Sequence, residues 1–575
     1  MVAALPLDIY VAFLSHLPPN RTNDESIRVL AQFLRCSKLL REAALVGSLW
    51  KAHYRTRYLY PIEIVGSDPQ WRILYAERRR ADAIALEILD TIASQRRRRP
   101  EHVAHLTAMG FHIWDALEIE TLQPLPPSLG GDARAKPHML TRRYWARTAM
   151  NIITRRYAIA QWGPLTNDEQ SLTFVDAFSV LSCFFGTPAR EISDRLSSLS
   201  SSCLRYLADE RITVDSAAAD YRLPVICEQI CVFMKRQGFG PVGPQSFHDV
   251  SNQFPHLYLT SKKRTIPIAL VHVFVHIAHG LGIDASPVGF PTRVLVHIPC
   301  PPGQDDFLVD VFGAEVKTIV TLRDDIPFML MRLGIPPDQI ASYIMPCGPV
   351  PMLLRAARNI LSFSGTEFLS PITQSAIEAA ASIHLLFNSD ELSTAHMLRH
   401  IDLDPLHCTT VLADISVFMH RAPRGLLQST CEQVIMHEDD HAQVVHRRSI
   451  ETPVSHRVGK VFTHRSRQYT GVIFGWDTTC AASIEWQRQM RVADLARGPA
   501  QPFYQVYSLE GGQRYVAEEN ISHDVDLTLE LASTFLSNVA SLPRFFSDAI
   551  TASPNNPGRW LPSPELQTAY PDDVY

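Results

Sequence analysis

The period of the apolar residues changes near residue 456, and that change bounds what the chain can fold into. Before about 435, apolar positions recur mostly at helical spacing. From 456 to 520 they fall in short aromatic and β-branched runs separated by Gly, Asp and Pro. Side chains alternate faces along a strand but return every 3.6 residues along a helix, so the two patterns are not interchangeable. A long, mainly helical region followed by a small β-barrel is therefore expected. The 40 prolines exclude a continuous helical rod and divide the 575 residues into jointed domains, roughly four at about 150 residues each.

Composition narrows the function classes. Hydrophobic residues at 46% and charged residues at 20% exclude a wholly disordered or fibrous chain. A net charge of −5 gives no overall attraction to nucleic acid or to an anionic membrane, so such binding needs a local patch. The start, MVAALPLDIY, has no basic stretch followed by an apolar one, which argues against a secretory signal. The ten cysteines stand singly without a CxxC pair; the closest two, Cys227 and Cys231, lie one helical turn apart. That is neither a disulfide framework nor a zinc knuckle, and it suits a reducing compartment, cytoplasmic and/or nuclear. The uncharged run Ile266 to Ile283 contains three histidines, two glycines and a proline. It reads as a core helix with a polar edge rather than a membrane span.

The expected fold is a multidomain α+β chain. Residues 1–60 read as short helices, with Ile9, Phe13, Leu14 and Leu17 at helical spacing before Pro18 and Pro19. Residues 61–140 form a helical linker region whose arginine clusters, Arg78 to Arg80 and Arg96 to Arg99, are expected on a solvated face beside Glu77, Asp82, Glu87 and Asp90. Nuclear localisation or nucleic-acid binding is the other reading of those clusters. The stretch 121–140 has linker composition. Residues 141–435 are a mostly helical middle with a small α/β core, 456–522 the barrel, and 545–575 an unstructured tail.

Two histidine patterns carry possible metal chemistry. His272, His276 and His279 share one helical face, opposite Leu270, Val273, Phe274, Ile277 and Leu281. An amphipathic helix explains that spacing without a metal. His437, Glu438, Asp439, Asp440 and His441 formally satisfy HExxH. A zinc protease needs that motif on a buried helix with a third ligand. Two aspartates inside it, with His446, Arg447 and Arg448 close behind, suit a solvated helix end. No metal and no cofactor is expected.

Three stretches resemble known families. Leu5-Pro6-Leu7-Asp8-Ile9, Phe13-Leu14, Leu17, Leu30, Cys36-Ser37, Leu39 and Trp50 resemble an F-box, with an extended insert, PPNRTNDES, after the first helix. The resemblance implies a three-helix module docking on the adaptor subunit of cullin–RING ubiquitin ligases through Leu5, Pro6, Ile9, Phe13, Leu14, Leu17, Leu30, Leu39 and Trp50. So small a helical unit cannot bury all its apolar side chains internally, and a partner's groove is a natural place for the remainder.

RTIPIALVHVFVHIAHGLGIDASPVGFPTRVLVHI followed by FLVDVFG resembles a transglutaminase-like core. In active relatives a cysteine at a helix start is the nucleophile, a histidine its base and an aspartate the group that orients the base. Here Thr265 to Ala269 contain no cysteine, Arg293 stands at the histidine position, and Asp310 alone matches. His297, placed on the same side of the strand as Arg293, is a conceivable substitute base, but it has no nucleophile to serve. The expectation is a non-catalytic domain whose Arg293 and Asp310 form a structural pair or line a degenerate pocket.

Val458-Gly459-Lys460-Val461-Phe462-Thr463-His464-Arg465, Tyr469-Thr470-Gly471-Val472-Ile473-Phe474-Gly475-Trp476-Asp477, Gln501-Pro502-Phe503-Tyr504 and Arg514-Tyr515-Val516-Ala517-Glu518-Glu519-Asn520 closely resemble the YccV-like, or hemimethylated-DNA-binding, domain. Between Arg457 and Asn520 eight cations face six anions, a net of +2, slight for a surface meant to neutralise many phosphates. Protein recognition is the favoured reading, with Trp476, Tyr504, Arg514 and Tyr515 as the binding residues. DNA binding is the alternative. In this order the three resemblances match the F-box only protein 21-like family. They imply a non-catalytic substrate-recognition subunit of an SCF-type ubiquitin ligase, partnered by the adaptor, the cullin scaffold and a protein substrate, with no membrane involved.

Overall fold

The computed structural model describes residues 5–60, 70–133, 136–313, 318–336, 339–363, 371–388, 390–401, 403–451, 453–554 and 556–574. The first nine residues of the expected linker region, 61–69, lie outside them. The chain forms two compact units, one of residues 1–150 together with 436–575, the other of residues 151–435. No described helix is long and apolar enough to cross a membrane.

The N-terminal helices are α1 (Leu7–Ser15), α2 (Glu25–Phe33), α3 (Lys38–Ala44) and α4 (Gly47–Arg57). Ser37 starts α3 by accepting the Leu40 amide on its hydroxyl at 3.3 Å, satisfying one of the free donors of the first turn. Leu14, Leu30, Ala43, Ala44, Leu49, Trp50 and Tyr54 close the module's core together with Trp71 and Tyr75 of α5 (Trp71–Ser94). The Trp50 indole donates to the Ala44 carbonyl at 2.7 Å, so its one polar group is satisfied inside.

The arginine clusters form the expected solvated face only in part: Arg80, Arg97 and Arg98 are exposed, as are Glu77, Glu87 and Asp90, while the other arginines turn inward. Arg78 is 2% exposed and meets Asp115 at 3.2 Å. Arg57 and Arg79 bracket the buried Asp82 at 3.6 and 3.1 Å. Arg99 is buried against Glu565 at 2.7 Å, and Arg96 meets Glu438 at 2.8 Å. Carboxylates placed inside a fold are costly unless a cation joins them, and the clusters supply those cations. The 121–140 stretch is likewise no free linker. Leu129 is buried in the C-terminal core, the Ser128 hydroxyl bonds Asp548, and the turn is closed by the Gly131 and Asp132 amides donating to Pro126 and Leu125. Its prolines set the path of a packed strap.

In the unit 151–435, helix Pro267–Gly280 lies at the centre with Ile268, Ala269, Leu270, Val271, Val273, Phe274, Val275 and Ile277 all buried. It is apolar around most of its circumference rather than amphipathic, as befits a helix covered on several sides. Strands β1 (Gly240–Pro241) and β2 (Arg264–Thr265) pair in parallel before it. After it come β3 (Ser286–Val288), β4 (Leu295–Ile298), β5 (Phe307–Val309) and β6 (Ile319–Thr321), an antiparallel sheet in chain order. One face of β4 and β5 (Val296, Ile298, Phe307, Val309) packs into the helical core, while Leu295 and Leu308 join a second, smaller cluster.

The C-terminal strands β7 (Val461–His464), β8 (Thr470–Asp477), β9 (Phe503–Ser508), β10 (Gln513–Ala517) and β11 (Ile521–Asp524) form one antiparallel sheet in the order β10-β9-β8-β7-β11, curled into a half-barrel. A bulge between Ile473 and Gly475 bends β8. The expected tail is ordered instead. β12 (Phe546–Ile550) and β13 (Arg559–Pro562) pair, Trp560 and Asp573 are fully buried, and Trp560 donates its amide to Gly459 at 2.9 Å. Gly459 has φ +88°, and a Cβ there would lie 2.0 Å from the Trp560 carbonyl oxygen, so only glycine fits beneath that strand.

Candidate functional site

On the N-terminal module the nine candidate docking residues separate by burial. Leu5 (53% exposed), Ile9 (50%) and Phe13 (64%) stand out from the surface, with Pro6 exposed beside them. Ile9 and Phe13 lie one turn apart on α1, and Leu5 just precedes it. Leu17 and Leu39 are half-buried. Leu14, Leu30 and Trp50 belong to the module's own core, so a partner meets them only if the module unfolds. The sequence period gave both groups one apolar label; only the packing of α1 on α3 tells them apart.

In the transglutaminase-like core, Arg293 lies before β4 rather than on it. Its guanidinium meets Asp310 at 2.7 Å. Asp310 is 4% exposed and also accepts the Gly313 amide at 2.7 Å. His297 does not join this pair; its ring lies 3.1 Å from Asp306. Thr265, at the helix start, is buried and donates to the Asn252 carbonyl at 3.0 Å. The thiol beside this site is Cys231, on helix Leu223–Arg236, which lines a cavity of about 330 Å³ with Glu228, Lys235, Arg264 and Phe312. Burial, with the charges of Cys227 and Asp310 adding, pushes its thiol far above the ordinary range; burial also pushes Cys227 up to about 12. A nucleophilic thiol needs the opposite environment.

The histidines of both patterns make contacts within the fold. His272 is fully buried, with Tyr258 Oη 2.9 Å from its Nδ1 and the Val175 carbonyl 3.0 Å from its Nε2. Burial pushes its pKa down to about 3, so it is a neutral member of a core network. His279 instead faces the Ala285 carbonyl at 2.8 Å. His437 and His441 face each other at 3.0 Å on an exposed helix end, while Glu438 is held by Arg96 through two bonds of 2.8 and 3.0 Å. Among the described residues, no group of three or more His, Cys, Asp or Glu is arranged to hold a metal.

The four candidate binding residues on the half-barrel also divide. Trp476 is 1% exposed, and its indole donates to Asp573 at 2.9 Å beneath Tyr570. Tyr504 is fully buried and donates to Glu518 at 2.7 Å. Both are core residues, because their strands turn them to the covered face and the C-terminal segment closes over Trp476. Tyr515 is half-buried: its hydroxyl donates to Asp477 at 2.7 Å and its ring meets Trp486 edge-on. Arg514 is exposed and stacks over the Tyr469 ring at 4.8 Å. These two line a groove of about 620 Å³ with Arg467, His464, Trp486 and Phe503. His464 accepts the Ser466 and Arg467 amides on Nδ1 at 3.2 Å each. Burial, with Arg467 and Arg514 adding, pushes its pKa down. Arg467 and Trp486 are not among the residues the sequence singles out; a turn arginine and a tryptophan on the short helix Ile484–Gln489 share no strand period with Arg514.

Two domain classes are defined by these folds and recur in comparison with known proteins. Residues 190–336 match the family model of the transglutaminase-like superfamily, and residues 454–542 that of the hemimethylated DNA-binding protein YccV like family. Neither stretch reaches the N-terminal helices. The chain resembles the F-box only protein 21-like family: it is 26% identical to "F-box only protein 21" of Pongo abelii over 337 residues, and 26% identical to the proteins of that name from Mus musculus and Homo sapiens over 344 residues each. Each match covers 57% of this chain and 52% of the relative, so the chain spans about half the length of the curated relatives it matches. No solved structure matches it.

Proposed function

We propose that this protein is a substrate-recognition subunit of an SCF-type (cullin–RING) ubiquitin ligase. The N-terminal module docks the adaptor, and the middle and C-terminal domains hold a protein substrate. The observation that carries this reading is the exposed set Leu5, Ile9 and Phe13 above a closed core. Each such side chain gains about 1.5–3 kcal/mol on full burial, which a partner groove supplies and water does not. The transglutaminase-like core does no chemistry of its own in this reading: Thr265 and Arg293 stand where a thiol and its base are required, and Cys231 is held protonated. Ubiquitin transfer is then promoted by proximity, since a tethered lysine has a high effective concentration near the conjugating enzyme.

The test is a pulldown of the full chain with the adaptor subunit beside a Leu5→Ala, Pro6→Ala, Phe13→Ala variant. Wild type is expected to bind and the variant to lose the adaptor while keeping its melting temperature. Equal binding by both contradicts the reading. The second reading, DNA binding through the half-barrel, draws on its family match and on Arg467 and Arg514. Against it, Lys460 and Arg497 of the same domain are taken up by Asp524 and Glu518. Duplex binding that falls steeply with salt would favour it.

A further inference from the structure

We propose that the half-barrel groove binds an extended peptide segment rich in Asp and Glu. This deepens the reading of the C-terminal domain as a substrate-holding surface and rests on it. The groove is walled by Tyr469, Phe474, Trp486, Phe503 and Tyr515 and carries two arginines, Arg467 and Arg514, yet no carboxylate is among its described lining residues. Asp477 is taken up by the Tyr515 hydroxyl, and Glu510 acts on Tyr469 from the β9–β10 turn without lining the groove.

Several arginines drawn into the interior of this unit are matched: Arg99 and Arg544 by Glu565, Arg78 by Asp115, Arg448 by Asp573. Two exposed guanidiniums with no ion pair among the described residues, one of them oriented by stacking on Tyr469, are an incomplete arrangement. Carboxylates complete it, because the planar fork of a guanidinium matches a carboxylate through two parallel bonds. The volume suits a few residues of peptide rather than a duplex, and the aromatic wall gives their apolar neighbours a surface. β10, which supplies Gln513, Arg514 and Tyr515, is an end strand of the sheet, so an extended segment has room to run alongside it. DNA is the weaker fit, since two cations neutralise too few phosphates to hold it at physiological salt.

The experiment uses the full chain without adaptor, so it stands apart from the docking of the N-terminal module. Fluorescence anisotropy would be measured with three labelled probes: an octapeptide of Asp and Glu around one Leu and one Phe, the same peptide with Asn and Gln in place of the acids, and a hemimethylated DNA duplex. The acidic peptide is expected to bind at least tenfold more tightly than the neutral one. It is expected to lose at least tenfold in the Arg467→Gln, Arg514→Gln double variant and to be unaffected by Arg488→Gln, outside the groove. Unchanged thermal melting of the double variant separates lost binding from lost folding, and Arg467→Gln alone, in an exposed turn, gives a milder second reading. Equal binding of both peptides, or acidic-peptide binding that survives the double variant, overturns the inference. So does binding of the duplex in place of the peptide. If the peptide binds while the adaptor does not, the inference stands and the ligase reading falls.

Discussion

The transglutaminase-like core and the half-barrel groove each place arginine beside aromatic and apolar side chains, and they use it in opposite ways. Arg293 is paired with Asp310 at 2.7 Å, and Asp310 is bonded in turn by the Gly313 amide. A Cβ at Gly313 would lie 2.4 Å from the Asp310 carboxylate. The pair closes on itself. Arg467 and Arg514 line an open groove free of acids among its described lining. A family's site position therefore says little until its charges are counted: a matched pair is closed to a ligand, and an unmatched one is open to it.

The contrast breaks if matched arginines can lose their partners freely. The largest effect is expected at Glu565→Gln. This carboxylate is 4% exposed between Arg99 at 2.7 Å and Arg544 at 3.4 Å, and its loss leaves cations unpaired, costing about 3–5 kcal/mol in denaturant unfolding. Burial alone would raise its pKa, but Arg544, Arg99 and Arg96 outweigh burial and hold it down at about 2. A depressed carboxylate contributes stability that is complete above its unfolded pKa, about 4.3. That stability falls as pH drops from there towards 2, and the variant should lack this acid limb. Asp310→Asn comes next, at about 3 kcal/mol, because Arg293 is partly exposed and water can replace some of the lost partner. Tyr504→Phe should cost about 1–2 kcal/mol by removing the hydroxyl bond to Glu518. The smallest effect sharpens the contrast: Arg467→Gln with Arg514→Gln should change stability by less than about 0.5 kcal/mol while abolishing peptide binding.

Much of the architecture was legible from period alone. The switch near 456 marked the half-barrel, and the apolar run from Ile266 marked the central helix of the middle unit. Trp476 and Tyr504 are core rather than contact residues, because aromatic identity carries no information on strand phase. In Phe503-Tyr504-Gln505-Val506, Tyr504 and Val506 share the buried core while Phe503 and Gln505 line the groove. The last thirty residues escaped for another reason. Their Pro, Ser and Asn content describes a loose chain locally, whereas Trp560, Leu566 and Tyr570 are buried in the half-barrel core and Asp573 bonds the Trp476 indole. Such order comes from partners a hundred residues away in sequence, which local composition does not report. The buried Arg78 and Arg99 escaped likewise, since Asp115 and Glu565 are distant from them in the chain.

The proposed function, with the inference drawn from the groove, has one chain join a ligase adaptor to an acidic protein segment through separate surfaces. Light scattering after gel filtration, with the full chain, the adaptor and the labelled acidic octapeptide, tests it most directly. One species containing all three is expected, which loses the adaptor alone in the Leu5→Ala, Pro6→Ala, Phe13→Ala variant and the peptide alone in the Arg467→Gln, Arg514→Gln variant. A wild-type chain that leaves the adaptor behind, or a single variant that releases both, would contradict it.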